Sequence, residues 1–373
     1  MRYALVASRY APLTGGVEQF SASMARILVA QGHQVAIITS QLEALPAHER
    51  EQSGVEVFRL PARGLLSGRL PVPRRGAVFA QGLDAIATWA PERMVVNTRF
   101  YGLSIEGLKL AERLDIPALV LDHGSAHLTM GNPLADWVVE AYEHKVTRIC
   151  QSFNPRFAGI SQSSCRWLEH FGIKTATVIP NAIDAFALDA EASACQRDFR
   201  QELSLDPERP LVISVGRLVK EKGALELLEV ATQAPDLEFA LAGDGPLKEQ
   251  LAKSKPKNVH LLGILDHGDL SGLYSQSDAF CLPSRSEGFC TAFLEAGAFG
   301  LPMVVTDVGG AREVLGDDFS LGVLLNATDP TSLAKAIRQA LELPEGTRKA
   351  LTQRVRTNYN WQMSAQRLQQ AFA

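Results

Sequence analysis

Two glutamates eight positions apart, Glu287 and Glu295, bracket the segment Ser286-Glu287-Gly288-Phe289-Cys290-Thr291-Ala292-Phe293-Leu294-Glu295. Carboxylates accept hydrogen bonds from paired hydroxyls, such as those of a ribose or a hexose. The apolar run 279–282 reads as a strand, and a helix is expected to begin near Cys290 or Thr291. Glu287 then lies just before the helix and Glu295 about one turn inside it. The free N–H groups and the dipole at such a helix start favour a phosphate. One short segment can thus hold sugar, phosphate and ribose together. As plain structural residues, Glu287 would cap the helix and Glu295 would sit in solvent.

A second cluster is Val215-Gly216-Arg217-Leu218-Val219-Lys220-Glu221-Lys222-Gly223, which follows a strand and opens a helix. Arg217 offers a planar fork and Lys222 a point charge, and both suit a diphosphate. In a merely solvated turn, Lys220, Glu221 and Lys222 would face water, and Lys220 is expected there in either case.

The elements that must position these residues follow a βα rhythm. Residues 3–7 form a short apolar run, which Pro12, Gly15 and Gly16 break. Val17, Phe20, Met24, Ile27 and Leu28 recur at helical spacing, and 35–39 is the next strand. Runs at 94–97, 118–121, 157–160 and 177–179 read as further strands, with a helix over 106–114. The rhythm pauses near Pro180-Asn181, and 184–210 is polar with helical character. It then restarts: strands at 211–215, 237–242, 259–262, 279–282 and 303–306 alternate with helices at 223–232, 246–252, 270–276, 293–299 and 333–343. Alternation of this kind implies parallel sheets with helices on both faces, and a restart implies two such domains. The cleft between two facing domains is the expected site.

Composition supports a globular enzyme. The 373 residues suggest two or three domains at roughly 150 residues each. A net charge of -4, with +3 over residues 1–180 and -7 over the rest, argues against a dedicated nucleic-acid binder. Cys150, Cys165, Cys195, Cys281 and Cys290 contain no CxxC pair and fit a reducing compartment. No apolar run approaches the roughly 18–20 residues of a membrane span. The N-terminal run is too short for a secretory signal. The expected location is the cytoplasm, extending to a peripheral place on the inner face of the cytoplasmic membrane.

The order of motifs carries a resemblance. Gly216-Arg217-x4-Lys222-Gly223 comes first, then Ala242-Gly243-Asp244-Gly245-Pro246-Leu247, then Glu287-x7-Glu295, then Thr306-Asp307-Val308-Gly309-Gly310. This set resembles the C-terminal half of the family-4 retaining glycosyltransferases of GT-B fold. Pro12-Leu13-Thr14-Gly15-Gly16-Val17-Glu18 is similar to that family's first loop. Ile179-Pro180-Asn181-Ala182-Ile183-Asp184 is similar to its hinge, with Ala182 in place of the usual Gly.

The resemblance implies an α/β protein of GT-B fold, two Rossmann-like doubly wound parallel-sheet domains facing a cleft. Residues 1–180 would form the acceptor-side domain, completed by a closing helix 362–373, and 181–361 the nucleotide-sugar-binding domain. It implies a retaining hexosyltransferase that uses a UDP- or GDP-linked sugar and no bound metal or other cofactor, in keeping with the lack of an Asp-x-Asp. Arg217 and Lys222 would bind the donor diphosphate and stabilise the leaving group. Glu287 would hold the transferred sugar and Glu295 the ribose, while backbone N–H groups around Phe289, Cys290 and Thr291 would contact sugar and phosphate. Gly15 and Gly16 would let the first loop approach the donor, and Gly243, Gly245 and Gly263 would frame the base. His123 would project from a strand end as a polar contact to the donor sugar. The acceptor would be lipid-linked or a glycan in cell-envelope synthesis, with a soluble acceptor as the alternative.

Three further readings come from the residues. His123 and His127 have a spacing that can serve zinc on a helix, but Gly124 breaks the helix and no third ligand stands at a telling distance, so no metal is expected. Arg59, Arg63, Arg69, Arg74 and Arg75, interleaved with leucines and free of acids, read either as an irregular surface loop or as a cationic patch for anionic lipid. Two rivals of other classes remain. A dinucleotide-dependent oxidoreductase lacks its glycine fingerprint here, and a non-catalytic sugar-nucleotide-binding protein is at odds with the intact charged set.

Overall fold

A computed structural model describes the chain apart from Thr14, Leu66, Ser67, Arg69, 128–131 and 317–318. The chain divides into two compact units, Met1–Asn181 with Trp361–Ala373, and Ala182–Asn360.

The first unit contains β1 (Arg2–Val6), α1 (Gly16–Ala30), β2 (Gln34–Gln41), β3 (His48–Arg50), β4 (Glu56–Leu65), β5 (Leu70–Pro73), α2 (Ala77–Trp89), β6 (Arg93–Asn97), α3 (Gly102–Arg113), β7 (Ala118–Asp122), α4 (Pro133–Ser152), β8 (Arg156–Gly159) and α5 (Gln162–Glu169). Its sheet order is β3-β4-β2-β1-β6-β7-β8, with β5 on β4. Strands β1, β2, β6 and β7 are largely buried and rich in Val, Ile, Leu and Ala, as expected where helices cover both faces. The sheet is not wholly parallel, because β3 and β5 run antiparallel to β4. Alternation of apolar runs does not reveal these short edge strands, and 62–65 pairs antiparallel with 70–73 rather than lying in an irregular loop. Asn132 caps α4 by accepting from the amides of Leu134 and Ala135, with Pro133 at the first helical position.

The second unit contains α6 (Ala185–Ala194), α7 (Phe199–Glu202), β9 (Leu211–Val215), α8 (Ala224–Gln233), β10 (Glu238–Ala242), α9 (Lys248–Ser254), β11 (Val259–Gly263), α10 (His267–Ser275), β12 (Ala279–Leu282), α11 (Thr291–Ala298), β13 (Met303–Thr306), α12 (Ala311–Leu315), β14 (Val323–Leu325), α13 (Pro330–Leu341) and α14 (Glu345–Asn358). The chain then returns to the first unit as α15 (Trp361–Gln370). The second sheet is parallel throughout, in the order β11-β10-β9-β12-β13-β14. Phe239, Leu241, Val304, Leu333 and Ile337 are among the core residues that pack against one face. The segment 177–179 contributes a single bridge to Gly159 rather than a strand.

The order of the second sheet fixes where a ligand belongs. Strand order reverses between β9 and β12, which pair through Val212–Ala279 and Ile213–Phe280. Loops leaving the carboxyl ends of two such strands diverge and open a crevice. The loop after β9 carries Arg217 and Lys222, and the loop after β12 carries Glu287.

Candidate functional site

Backbone contacts hold these two loops together. Gly223 has φ +74° and ends a short 3₁₀ turn, Lys220–Lys222. A Cβ there would lie 2.6 Å from the carbonyl oxygen of Pro283, so only glycine permits the approach. The Arg285 amide donates to the Glu221 carbonyl at 2.8 Å. The result places Lys222 Nζ 2.5 Å from Glu287 Oε1, with both side chains largely buried. Burial alone would lower the Lys222 pKa, but the interactions with Cys290 and Glu287 outweigh it and the net shift is upward. Burial pushes the Cys290 thiol up to about 12. Arg217 is exposed, and its charge opposes that of Lys222.

A glycine pair fixes the other side of the β12–α11 loop. Gly309 has φ +57°, and a Cβ there would lie 2.9 Å from Glu287 Cβ; one on Gly310 would enter the Phe289 ring. Phe289 and Cys290 are buried, and Cys290 and Thr291 begin α11, whose start no side chain caps. The Phe293 amide donates to the Cys290 carbonyl at 3.2 Å, and the dipole of this helix start favours an anion.

Glu295 lies one turn into α11 and is partly exposed rather than a fully solvated surface residue. The buried Tyr274 hydroxyl donates to its Oε2 at 2.8 Å. Burial raises the Glu295 pKa, and the Tyr274 hydrogen bond draws it back part of the way. Sequence reasoning missed Tyr274. It sits near the end of α10, and nothing local announces the reach of its hydroxyl.

A cavity of about 320 Å³ lies beside Arg217, lined in part by Gly216, Gly243, Asp244, Ile264, Leu265 and Leu270. This is within the size range of small-ligand pockets, roughly 300–1,000 Å³. Gly243 borders it, whereas Gly245 and Gly263 are not in its lining. A Cβ on Gly243 would lie 1.9 Å from the Gly216 carbonyl oxygen, and one on Gly245 2.5 Å from that of Leu218. These two glycines are required by the packing of neighbouring turns. Gly263, at φ +70°, accepts from the Gly243 amide at 2.7 Å.

The remaining predicted residues belong to the first unit. His123 follows β7, with Nε2 3.0 Å from Asn97 Oδ1 and its ring edge-on to Phe20. Asn97 Nδ2 donates to Ser21 Oγ, so its oxygen faces His123 and Nε2 carries the proton. Burial pushes the His123 pKa down to about 3, leaving a neutral ring with a bare Nδ1. His127 does not pair with it and instead faces α4. A Cβ on Gly15 would meet the movable Glu18 carboxylate, and one on Gly16 would meet nothing within 4 Å. Neither glycine is demanded by its own fold.

The arginine stretch departs from expectation. Arg59 is buried in β4 and paired with Glu49, so it cannot belong to an exposed patch. Arg75 is exposed but paired with Glu106 at 2.7 Å. Acids distant in sequence meet both. Arg63 and Arg74 are exposed, and Arg69 lies outside the described residues.

Two doubly wound α/β units, one with a polar cluster at its switch point, define the architecture of a GT-B glycosyltransferase. Residues 196–358 match the model of the glycosyl transferases group 1, and residues 14–185 that of Glycosyltransferase Family 4. The chain belongs to this family of glycosyltransferases. It is 26% identical over 403 residues to a glycogen synthase of Mycobacterium tuberculosis, covering 98% of this chain and 92% of that protein. It is likewise 26% identical over 379 residues to the sulfoquinovosyl transferase SQD2 of Arabidopsis thaliana, covering 97% of this chain and 71% of that protein. Its fold is similar to sucrose-phosphate synthase from Thermosynechococcus elongatus, with a TM-score of 0.78, 20% identity, and 100% and 98% of the two chains covered. It is also similar to Anabaena HepE in complex with UDP, with a TM-score of 0.74, 18% identity and 99% of each chain covered.

Proposed function

We propose that this glycosyltransferase moves a hexose from a UDP- or GDP-linked donor to an acceptor hydroxyl with retention of anomeric configuration, without a metal ion in the chemistry. The observation that carries this reading is the Lys222–Glu287 pair at the switch point, beside the uncapped start of α11. In this reading the base enters the cavity beside Gly216 and Ile264. Glu295, held by Tyr274, accepts from the ribose hydroxyls. Arg217, Lys222 and the α11 amides bind the diphosphate, and Glu287 accepts from the sugar hydroxyls.

The bond from the sugar C1 to the β-phosphate oxygen breaks, and the acceptor oxygen bonds C1 from the same face. The acceptor proton passes to the departing diphosphate oxygen. Two cations and a helix dipole stabilise the growing charge on that diphosphate, the kind of fixed electrostatics that lowers such barriers most. His123, neutral and with a bare Nδ1, serves as a polar contact to the donor sugar rather than as a cation.

The acceptor is lipid-linked or a glycan of the cell envelope, and the protein works at an anionic membrane face. Support for this comes from the β4–β5 hairpin and the start of α2, where Leu65, Val72 and Val78 are exposed in the same stretch as Arg63, Arg74 and Arg75. Among the described residues, no helix is long and apolar enough to cross a membrane.

A panel of nucleoside diphosphates and their sugars, read by thermal shift, tests the donor. A ligand at about 100-fold over its Kd adds roughly 2.7 kcal/mol of stability. NMR of the product made without divalent ions tests retention. An inverted anomeric centre, or turnover that requires added Mg²⁺ or Mn²⁺, overturns the mechanism.

A further inference from the structure

Four side chains outside the donor site converge beneath the β7–α4 loop. They are His127 from that loop, Glu140 and His144 one turn apart on α4, and His170 at the end of α5. One ligand atom from each lies within 4.8 Å of all the others. His144 Nε2 and His170 Nε2 are 3.2 Å apart, and His127 Nε2 is 3.6 Å from Glu140 Oε1. Two ligands of a tetrahedral zinc at about 2.05 Å stand roughly 3.3 Å apart, so these separations match two edges of such a site.

The protonation pattern agrees. Glu143 bonds Arg99 through Oε1 and His127 Nδ1 through Oε2, each at 2.7 Å. A carboxylate pinned by an arginine accepts from Nδ1–H, which leaves a lone pair on His127 Nε2. That Nε2 is buried and has no hydrogen-bond partner among the described residues. A carboxylate behind a histidine is the usual device that orients a zinc ligand and raises its basicity. Trp167 stacks on His170 with planes 4° apart and meets His127 edge-on, which fixes both rings.

The geometry points to a structural zinc site formed by His127, Glu140, His144 and His170, cross-linking the β7–α4 loop, α4 and α5. Three imidazoles and one carboxylate form a closed tetrahedral set for a borderline divalent ion. The site lies outside the proposed donor machinery.

The test uses the untagged full-length chain, stripped with a chelator and titrated with Zn²⁺ against a chromophoric competitor. The expected result is one equivalent bound per chain. His144→Gln and His170→Gln should each weaken binding by at least about 10-fold and together abolish it, with circular dichroism unchanged. Co²⁺ in its place should give the intense visible bands of a tetrahedral site, lost in His170→Gln. No stoichiometric Zn²⁺, equal affinity in the variants, or the weak bands of octahedral Co²⁺ would each overturn the assignment.

Discussion

Lys222 Nζ and Glu287 Oε1, 65 residues apart in sequence, lie 2.5 Å apart in a largely buried ion pair. Removing one member of such a pair strands the other charge. Lys222→Ala should cost about 2–3 kcal/mol, since Lys222 keeps some solvent contact. The double variant with Glu287→Gln should cost less than the sum of the two. Urea unfolding of the four proteins measures this coupling. Turnover of Lys222→Ala should fall at least about 100-fold, as on losing one oxyanion donor.

Tyr274→Phe removes the hydrogen bond that holds the Glu295 pKa down against burial. That pKa should rise further, so Glu295 protonates earlier as pH falls. Nucleoside diphosphate affinity, measured by calorimetry, should therefore drop at a higher pH than in the wild type. Parallel pH profiles would show that Glu295 does not meet the ribose.

His123 is neutral in the folded chain down to about pH 3, whereas in the unfolded chain it protonates near 6.5. Below about pH 6.5 the unfolded state therefore binds the extra proton, and stability falls by up to about 1.4 kcal/mol per pH unit. Above that pH the contribution is fully present. His123→Asn should flatten the pH dependence of urea midpoints between pH 5 and 7, and an unchanged slope would count against the buried neutral ring.

Gly309→Ala adds a methyl group 2.9 Å from Glu287 Cβ at a φ of +57°. Strain of this kind costs on the order of 1–3 kcal/mol. Shifting Glu287 should reduce turnover more than the Kd for free nucleoside diphosphate. Equal losses in both would place the effect on the whole loop rather than on the sugar contact.

If the hairpin region meets anionic lipid, Arg63 and Arg74 carry the attraction, each worth on the order of 1 kcal/mol and screened by salt. The protein should sediment with anionic liposomes at low salt and release at high salt. Arg63→Ser with Arg74→Ser should abolish sedimentation and spare donor hydrolysis. Wild-type protein that stays in the supernatant would favour a soluble acceptor.

The positions of the candidate residues were legible where chemistry and local structure coincide. Arg217, Lys222 and Glu287 sit on loops that follow apolar strands and Glu295 one turn into the next helix, an order that glycines and apolar runs mark in the sequence. Arg59 was misread because its partner Glu49 arrives across the β3–β4 pairing, which spacing does not show. Tyr274 drew no reading, because nothing beside it in sequence shows that its hydroxyl reaches Glu295 across two helices. Gly243 and Gly245 were expected to frame the base, and the atoms a Cβ on either would strike are backbone oxygens of a neighbouring turn. His127 gained its neighbours from α4 and α5, segments whose packing no local pattern specifies.

The helix α15 carries Trp361 against Phe20 and Ser364 against the Pro180 carbonyl, so the first unit is finished by residues that follow the second. During synthesis, which proceeds at about 5–20 residues per second, residues 182–360 leave the ribosome before that helix exists. The second unit can fold while the first still lacks a wall, with the face of Phe20 waiting for its cover. The order of completion is therefore the reverse of the order of translation, and a stalled chain ending before Trp361 would present an exposed apolar face to chaperones.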